Sequence, residues 1–256
     1  MSGRVEFSVN DGVGNIVLTR PEKHNAITPD MARDLGQACD EANASDAVRA
    51  VVISGAGEKA FSAGSDLNIL ADVSDIWAFR NRLEYAAVVR DIRKPVIAAL
   101  KGWVLGGGME IALAADVRVA GRSARIGGPE VSRGWIGGGG ASQMLPRLVG
   151  YGQAMRMLLL GEPVDAETAL RMGLVEEVVD DAQALARAQE MAAKIASFSP
   201  IATQAVKSAV RAAMSMPLDA GLRYENEIHV ICMSANDRRE GIKAFQEGRK
   251  GEFSGS

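Results

Sequence analysis

Three glycine-rich places in the chain could act on a negatively charged oxygen: Ala63-Gly64-Ser65-Asp66, Gly106-Gly107-Gly108 and Gly137-Gly138-Gly139-Gly140. The second lies between a predicted strand and a predicted helix. There the first-turn N–H groups lack intrahelical acceptors and the helix dipole favours negative charge, so the place can hold an oxyanion. The same tripeptide also makes a tight turn whose glycines only permit close packing, and alone it does not choose between these readings. None of the three is a nucleotide loop: G-x-x-x-x-G-K-[ST] does not occur, and Ile111 and Ser142 fall where the third glycine of G-x-G-x-x-G is needed. Glu110 follows the second cluster and Glu130 precedes the third. Taken singly, Glu110 reads as a first-turn helix residue favoured by the dipole and Glu130 as a surface carboxylate after Pro129. A serine hydrolase would need a G-x-S-x-G elbow and a partnered histidine, but Ser65 follows Gly64 directly and only His24 and His229 exist. Cys39 and Cys232 have neither C-x-x-C nor Cys/His spacing, so neither a disulfide framework nor a zinc site is expected.

These residues must be positioned by an alternation of strands and helices. Val5–Val9 and Ile16–Thr19 are β-type runs joined through Asp11-Gly12, which predicts a hairpin. Thr28-Pro29 supplies an N-cap and a first-position proline for a helix to about Ala44. Ala50–Ser54 and Val96–Leu100 are continuous apolar runs, as expected of strands buried on both faces. Helical periodicity covers Ile76–Ile92 and Met109–Ala115, followed by a strand at Val117–Ala120. After Ser142 one further strand is expected at Leu174–Val179. Helices are predicted at Gln153–Leu160, at Asp165–Met172 closed by Gly173, at Ala182–Ala196, from Ser199-Pro200, at Leu218–Met233 and at Asp237–Glu247. The reading is an α/β core over residues 1–197 and a helical region over 198–256 that packs against a neighbouring subunit.

The chain has 256 residues and a formal net charge of −3, without a long Lys/Arg run, which argues against a nucleic-acid partner or an electrostatic membrane contact. No apolar run approaches the ~20 residues that a membrane span needs. The first ten residues lack the apolar stretch of a signal peptide, and a reducing, cytoplasmic location is expected.

The order of the motifs is more specific than any one of them. Phe61-Ser62-Ala63-Gly64-Ser65-Asp66-Leu67 resembles the F-x-A-G-x-D-[LI] segment of the enoyl-CoA hydratase/isomerase (crotonase) family, and Lys94 to Glu110 resembles its K-P-[VT]-[IV]-A-x-[LV]-x-G-x-x-x-G-G-G-x-E segment. The resemblance continues through Ala114-Ala115-Asp116, Pro129-Glu130, Leu148-Val149-Gly150 and Ala169–Val175 to Asp237–Phe245, essentially the whole chain. It implies a ββα spiral core with a helical C-terminal oligomerisation region, in a trimer or a dimer of trimers.

For the site, the resemblance implies that the backbone N–H groups of Ser65 and Gly107 form an oxyanion hole for a thioester oxygen. Loss of one such donor costs ~2.7–4 kcal/mol of barrier. The Ser65 hydroxyl is expected to be a bystander. Glu110 would activate water and Glu130 would protonate the α-carbon, giving hydration of a trans-2-enoyl-CoA. The acyl-CoA would lie along Lys23, Asn25, Ala26, Ala63, Gly64, Asp66, Leu67, Gly106 and Gly138, with Lys23, Lys243 or Lys250 near its phosphates. Asp66 is expected to brace the oxyanion loop. No cofactor is implied beyond the coenzyme A of the substrate. After Glu130 the chain departs from the family: Gly137 takes a proline position, while Arg133 and Trp135 bring a charge and a ring near the acyl pocket, unless Arg133 faces solvent and Trp135 fills core. An isomerase would need only one of the carboxylates. A lyase or hydrolase reaction on a substituted acyl-CoA is the alternative to hydration.

Overall fold

A computed structural model describes residues 3–256. The hairpin forms from β1 (Arg4–Asn10) and β2 (Val13–Thr19) in antiparallel register, with Phe7 opposite Ile16. Its two-residue loop needs positive φ at both positions to match the twist of the strands, and Asp11 (48°) and Gly12 (82°) supply it. Helix α1 (Pro29–Ala44) starts where expected: the Thr28 side chain accepts the Met31 N–H, and Met31, Leu35, Ala38 and Ala42 make the buried face.

The chain then winds so that successive strands join two sheets alternately. Strands β3 (Ala50–Gly55), β5 (Val96–Leu100) and β7 (Val117–Gly121) extend the first sheet, while β4 (Ala60–Ser62), β6 (Trp103–Leu105) and β8 (Arg125–Gly127) build the second. With β9 (Val164–Asp165) and β10 (Glu177–Val179) the orders are β1-β2-β3-β5-β7-β10 and β4-β6-β8-β9. Within these sheets only the β1/β2 and β8/β9 pairs are antiparallel. This is the ββα spiral. It explains the unbroken apolar runs: Val51, Ile53, Val96 and Ala98 face a core shared with α1, whereas Val52, Ile97 and Val119 meet Ala188, Ala192 and Ala196 of α9 (Ala184–Ala196) on the other face.

Several elements depart from expectation. The three short strands β4, β6 and β8 are not evident in the sequence, because three residues are too few to establish a period. The continuous helix predicted at Ile76–Ile92 is two helices, α3 (Ile76–Arg80) and α4 (Tyr85–Arg90), after a short α2 (Leu67–Ala71). It breaks because the Glu84 carboxylate accepts the Ala86 and Ala87 N–H groups at 3.0 and 2.7 Å and starts a new helix. Of Leu174–Val179 only β10 is a strand. Helix α5 (Gly107–Ala114) begins two residues before the expected Met109, and α6 (Ala141–Val149), which the sequence does not predict, precedes α7 (Tyr151–Leu160) and α8 (Ala166–Arg171).

Helices α10 (Pro200–Ala213), α11 (Leu218–Ser234) and α12 (Asn236–Glu247) complete the chain. Buried Lys207 of α10 fastens them to the first sheet by donating to Lys94 O (2.8 Å) and pairing with Asp116 (2.6 Å). Buried Asp237 holds Ser199 and the backbone of Ser254 and Gly255. Among the described residues no helix is long and apolar enough to cross a membrane.

Candidate active site

Phe61, fully buried in β4, anchors the loop that follows it, and truncating such a ring costs about 3–5 kcal/mol. From that anchor the chain runs through Ser62, whose hydroxyl donates to Asn25 O (2.8 Å) and accepts the Gly64 N–H (3.1 Å). The loop is then bridged to Ile27: Ile27 N–H donates to Gly64 O (2.8 Å) and Asp66 N–H to Ile27 O (3.0 Å). Ser65 sits between these bonds, and its own N–H has no protein acceptor among the described residues.

The second glycine segment meets this loop at α5. A Cβ on Gly108 would lie 2.2 Å from Ser62 O, and one on Gly64 would lie 2.7 Å from Gly107 N, so only glycine lets the helix start dock here. Gly106 N–H donates to Gly127 O, and Glu110 N–H returns to Gly106 O. As the first residue of α5, Gly107 has no intrahelical acceptor, and its N–H finds none elsewhere among the described residues. Two backbone donors from adjoining segments are therefore left without partners.

Glu110 is 4% exposed. Its Oε1 accepts two N–H groups from the third glycine segment, Gly139 at 2.7 Å and Ala141 at 3.1 Å. Burial raises its pKa above the ordinary carboxylate value, the two backbone donors oppose that shift, and the charges of Glu130 and Glu84 add to it. Glu130 lies on a 3₁₀ turn, Pro129–Arg133. Its Oε1 comes within 3.1 Å of the place a Gly106 Cβ would occupy. Burial raises its pKa too, and the Arg133 charge works against the rise. The two carboxylates thus meet at the start of α5, Glu110 within its first turn and Glu130 against Gly106.

Other expected residues hold the frame. Asn25 is fully buried: its Oδ1 accepts Arg20 N–H and its Nδ2 donates to Ala56 O and Ala60 O, each at 2.9 Å. With no exposed surface, that side chain serves the frame rather than a ligand, which corrects the expectation of a CoA contact. Asp66 caps α2 through Asn68 N–H and pairs with Arg20 at 2.7 Å, which lowers its pKa. These two contacts brace the loop. Lys23 and Leu67 are exposed, Ala26 and Ala63 half-buried, and Gly138 is exposed beside Arg82. Trp135 is 41% exposed and does not fill core; Arg133 is exposed and donates to Pro129 O. A Cβ on Gly137 would lie 2.6 Å from Glu110 Oε1, so the carboxylate rests directly against the glycine that stands in place of the family's proline.

Sequence reasoning misses Tyr85 and Glu84. The phenol oxygen of Tyr85 stands 2.8 Å from the Ser65 hydroxyl and so close to Gly107 that a Cβ there would lie 1.8 Å from it. A Cβ on Gly139 would be 2.6 Å from Glu84 Oε1 and 2.7 Å from Glu110 Oε2, which brings a third carboxylate to the site. Neither residue belongs to a glycine motif; the only signal is the acidic residue able to cap a helix at Tyr85. The Ser65 hydroxyl, expected to be a bystander, is partnered.

A two-sheet spiral with open N–H groups at a helix start and carboxylates on either side is the architecture of the crotonase fold. The enoyl-CoA hydratase/isomerase family model matches residues 8–256, and the chain belongs to that family of enzymes. It is 36% identical to the (E)-benzylidenesuccinyl-CoA hydratase of Thauera aromatica, over 98% of this chain and 99% of that one. It is 37% identical to the short-chain-enoyl-CoA hydratase of Clostridium acetobutylicum, over 93% and 92%. The crystal structure of enoyl-CoA hydratase from Bacillus anthracis superposes with a TM-score of 0.92 at 33% identity, covering 100% of both chains.

Proposed function

We propose that this enzyme adds water reversibly and syn across the double bond of a trans-2-enoyl-CoA. Glu110, in its ionised form, takes a proton from water as the water oxygen attacks the β-carbon. The displaced π electrons move onto the thioester oxygen, where the N–H groups of Ser65 and Gly107 hold the charge. Glu130, protonated, gives its proton to the α-carbon, and the proton on Glu110 then restores the starting state through solvent. The assignment follows from surroundings: both pKa values are raised by burial, but only Glu110 has two backbone donors that favour its anion. Water and protons are all that the reaction moves, so it calls for no resident cofactor.

The observation that carries this reading is the pair of unpartnered N–H groups at the start of α5, with the carboxylates of buried Glu110 and half-buried Glu130 beside that same turn. Hydration is measured as loss of enoyl absorbance with crotonyl-CoA and longer trans-2-enoyl-CoA esters. Fast hydration that collapses in Glu110→Gln and in Glu130→Gln is expected; binding of CoA esters without hydration would sink the reading. Exposed Arg133 and Trp135 favour, as the second reading, another crotonase-family reaction (isomerase, lyase or hydrolase) on a substituted acyl-CoA.

The CoA moiety is placed along the backbone of Ala26, Ala63 and Gly64 and beside exposed Lys23 and Leu67. Residues 198–256 are read as an oligomerisation region that covers a second copy of the chain. Val206, Val210, Leu218, Val230, Ile231 and Phe245 all stand exposed on α10–α12 and support this. A trimer or dimer of trimers in light scattering is the expected result. The free thiols of Cys39 and Cys232 suit a reducing, cytoplasmic setting.

A further inference from the structure

The Ser65 and Tyr85 hydroxyls form a closed pair with one proton too many. Their oxygens are 2.8 Å apart, and neither oxygen has another hydrogen-bond partner among the described residues. One hydroxyl donates to the other, and the second O–H is left without a protein acceptor. That surplus donor stands against Gly107, whose N–H is also unpartnered, and beside the unpartnered N–H of Ser65. Three polar hydrogens thus collect at one place with no protein oxygen to receive them. Part-buried donors gathered at one point suit an oxygen that carries negative charge.

We propose that Tyr85 is a third donor of the oxyanion hole: Ser65 Oγ–H donates to the phenol oxygen and so aims the phenol O–H at the thioester oxygen held by Ser65 N and Gly107 N. The inference rests on the reading that the ligand is a CoA thioester. No proton is transferred in this role. Burial, with the charges of Glu110 and Glu84, pushes the Tyr85 phenol up to about 12, so it stays protonated and donates throughout the working pH range. The arrangement also makes the Ser65 hydroxyl a positioning group that acts through Tyr85. Only glycine at 107 is compatible with the phenol in this place.

Two variants, Tyr85→Phe and Ser65→Ala, and two readouts decide the matter. In hydration of crotonyl-CoA, Tyr85→Phe should lose roughly a hundredfold in kcat with KM little changed, as for a donor that acts mainly on the transition state, and Ser65→Ala should lose less. In parallel, the infrared carbonyl band of bound butyryl-CoA, isotope-labelled at its carbonyl carbon, should move toward its position in free ester in Tyr85→Phe and part of the way in Ser65→Ala. A band that stays in place in Tyr85→Phe while butyryl-CoA still binds overturns the third donor, whatever happens to kcat, because a merely structural tyrosine would not polarise the carbonyl. Failure of the unmodified protein to bind butyryl-CoA in calorimetry overturns the proposed function and this inference with it.

Discussion

Glu110 and Glu130, the two carboxylates of the proposed reaction, are held in opposite ways. Glu110 belongs to a buried helix, and its Oε1 is fixed by Gly139 and Ala141. Glu130 sits on a 3₁₀ turn, and among the described residues no other residue donates a hydrogen bond to its carboxylate. A base that must aim a water at one carbon profits from rigidity, because a misplacement of about 1 Å can cost a hundredfold. An acid that delivers a proton and is then reloaded profits from partial burial with fewer donors, here its own backbone N–H alone, which favours its neutral form. The difference between the two carboxylates is therefore a division between orientation and proton affinity.

The largest effect should come from removing the oriented base: Glu110→Gln is expected to lower kcat for crotonyl-CoA hydration by about 10³–10⁴, and Glu130→Gln by about 10²–10³, within the usual range of acid–base catalysis. A greater loss in Glu130→Gln would reverse the assignment. Moving Glu110 without removing it comes next. Gly137→Ala puts a methyl group 2.6 Å from Glu110 Oε1 and should cost roughly a hundredfold in kcat, with a smaller change in KM. Activity equal to that of the unmodified protein would mean that the Oε1 position is not critical.

The pH profile sharpens the comparison further. Glu110 must be ionised and its pKa is raised, so the acid limb of kcat/KM should lie above the ordinary glutamate value of about 4.3. An ionised Glu130 would add to that rise, but a protonated acid does not, so the residual activity of Glu130→Gln should keep its acid limb in place; a limb that moves to lower pH would mean that Glu130 is ionised while Glu110 works. The smallest effect is on stability. A carboxyl whose folded pKa is raised costs nothing below its unfolded value and penalises the fold as pH climbs through the raised one. Glu130→Gln should accordingly raise Tm at neutral pH and leave it unchanged near pH 3, as read by calorimetry in both buffers.

What can be read from the sequence is whatever the backbone does with glycine or with long apolar runs. Ser65, Gly107, Glu110 and Glu130 lie in contiguous motifs, and the strands at Ala50 and Val96 declare themselves because both faces are buried. What stays hidden depends on a direction change. Ile76 to Ile92 keeps a helical period across a break that only the capping carboxylate of Glu84 reveals, and that break turns Glu84 and Tyr85 toward α5. Asn25 misleads in the other direction: it stands in the right segment, but its amide is consumed by Arg20, Ala56 and Ala60. Short strands such as β4 and β6 are invisible because their pairing partners, not their composition, define them.

Charge stabilisation by peptide N–H groups leaves selection little to alter. A backbone N–H is not removed by changing a side chain, and at Gly107 and Gly108 any added atom collides with a neighbour. Variation must enter instead through the walls around that fixed point: the break at residues 81–84 and the loop from Arg133 to Gly140, where Arg82, Trp135 and Ile136 are exposed. A lineage descended from this fold would keep the same electrophile and diversify the acyl chain, so new substrates would arise by exchanging residues on two loops rather than by rebuilding the catalytic centre.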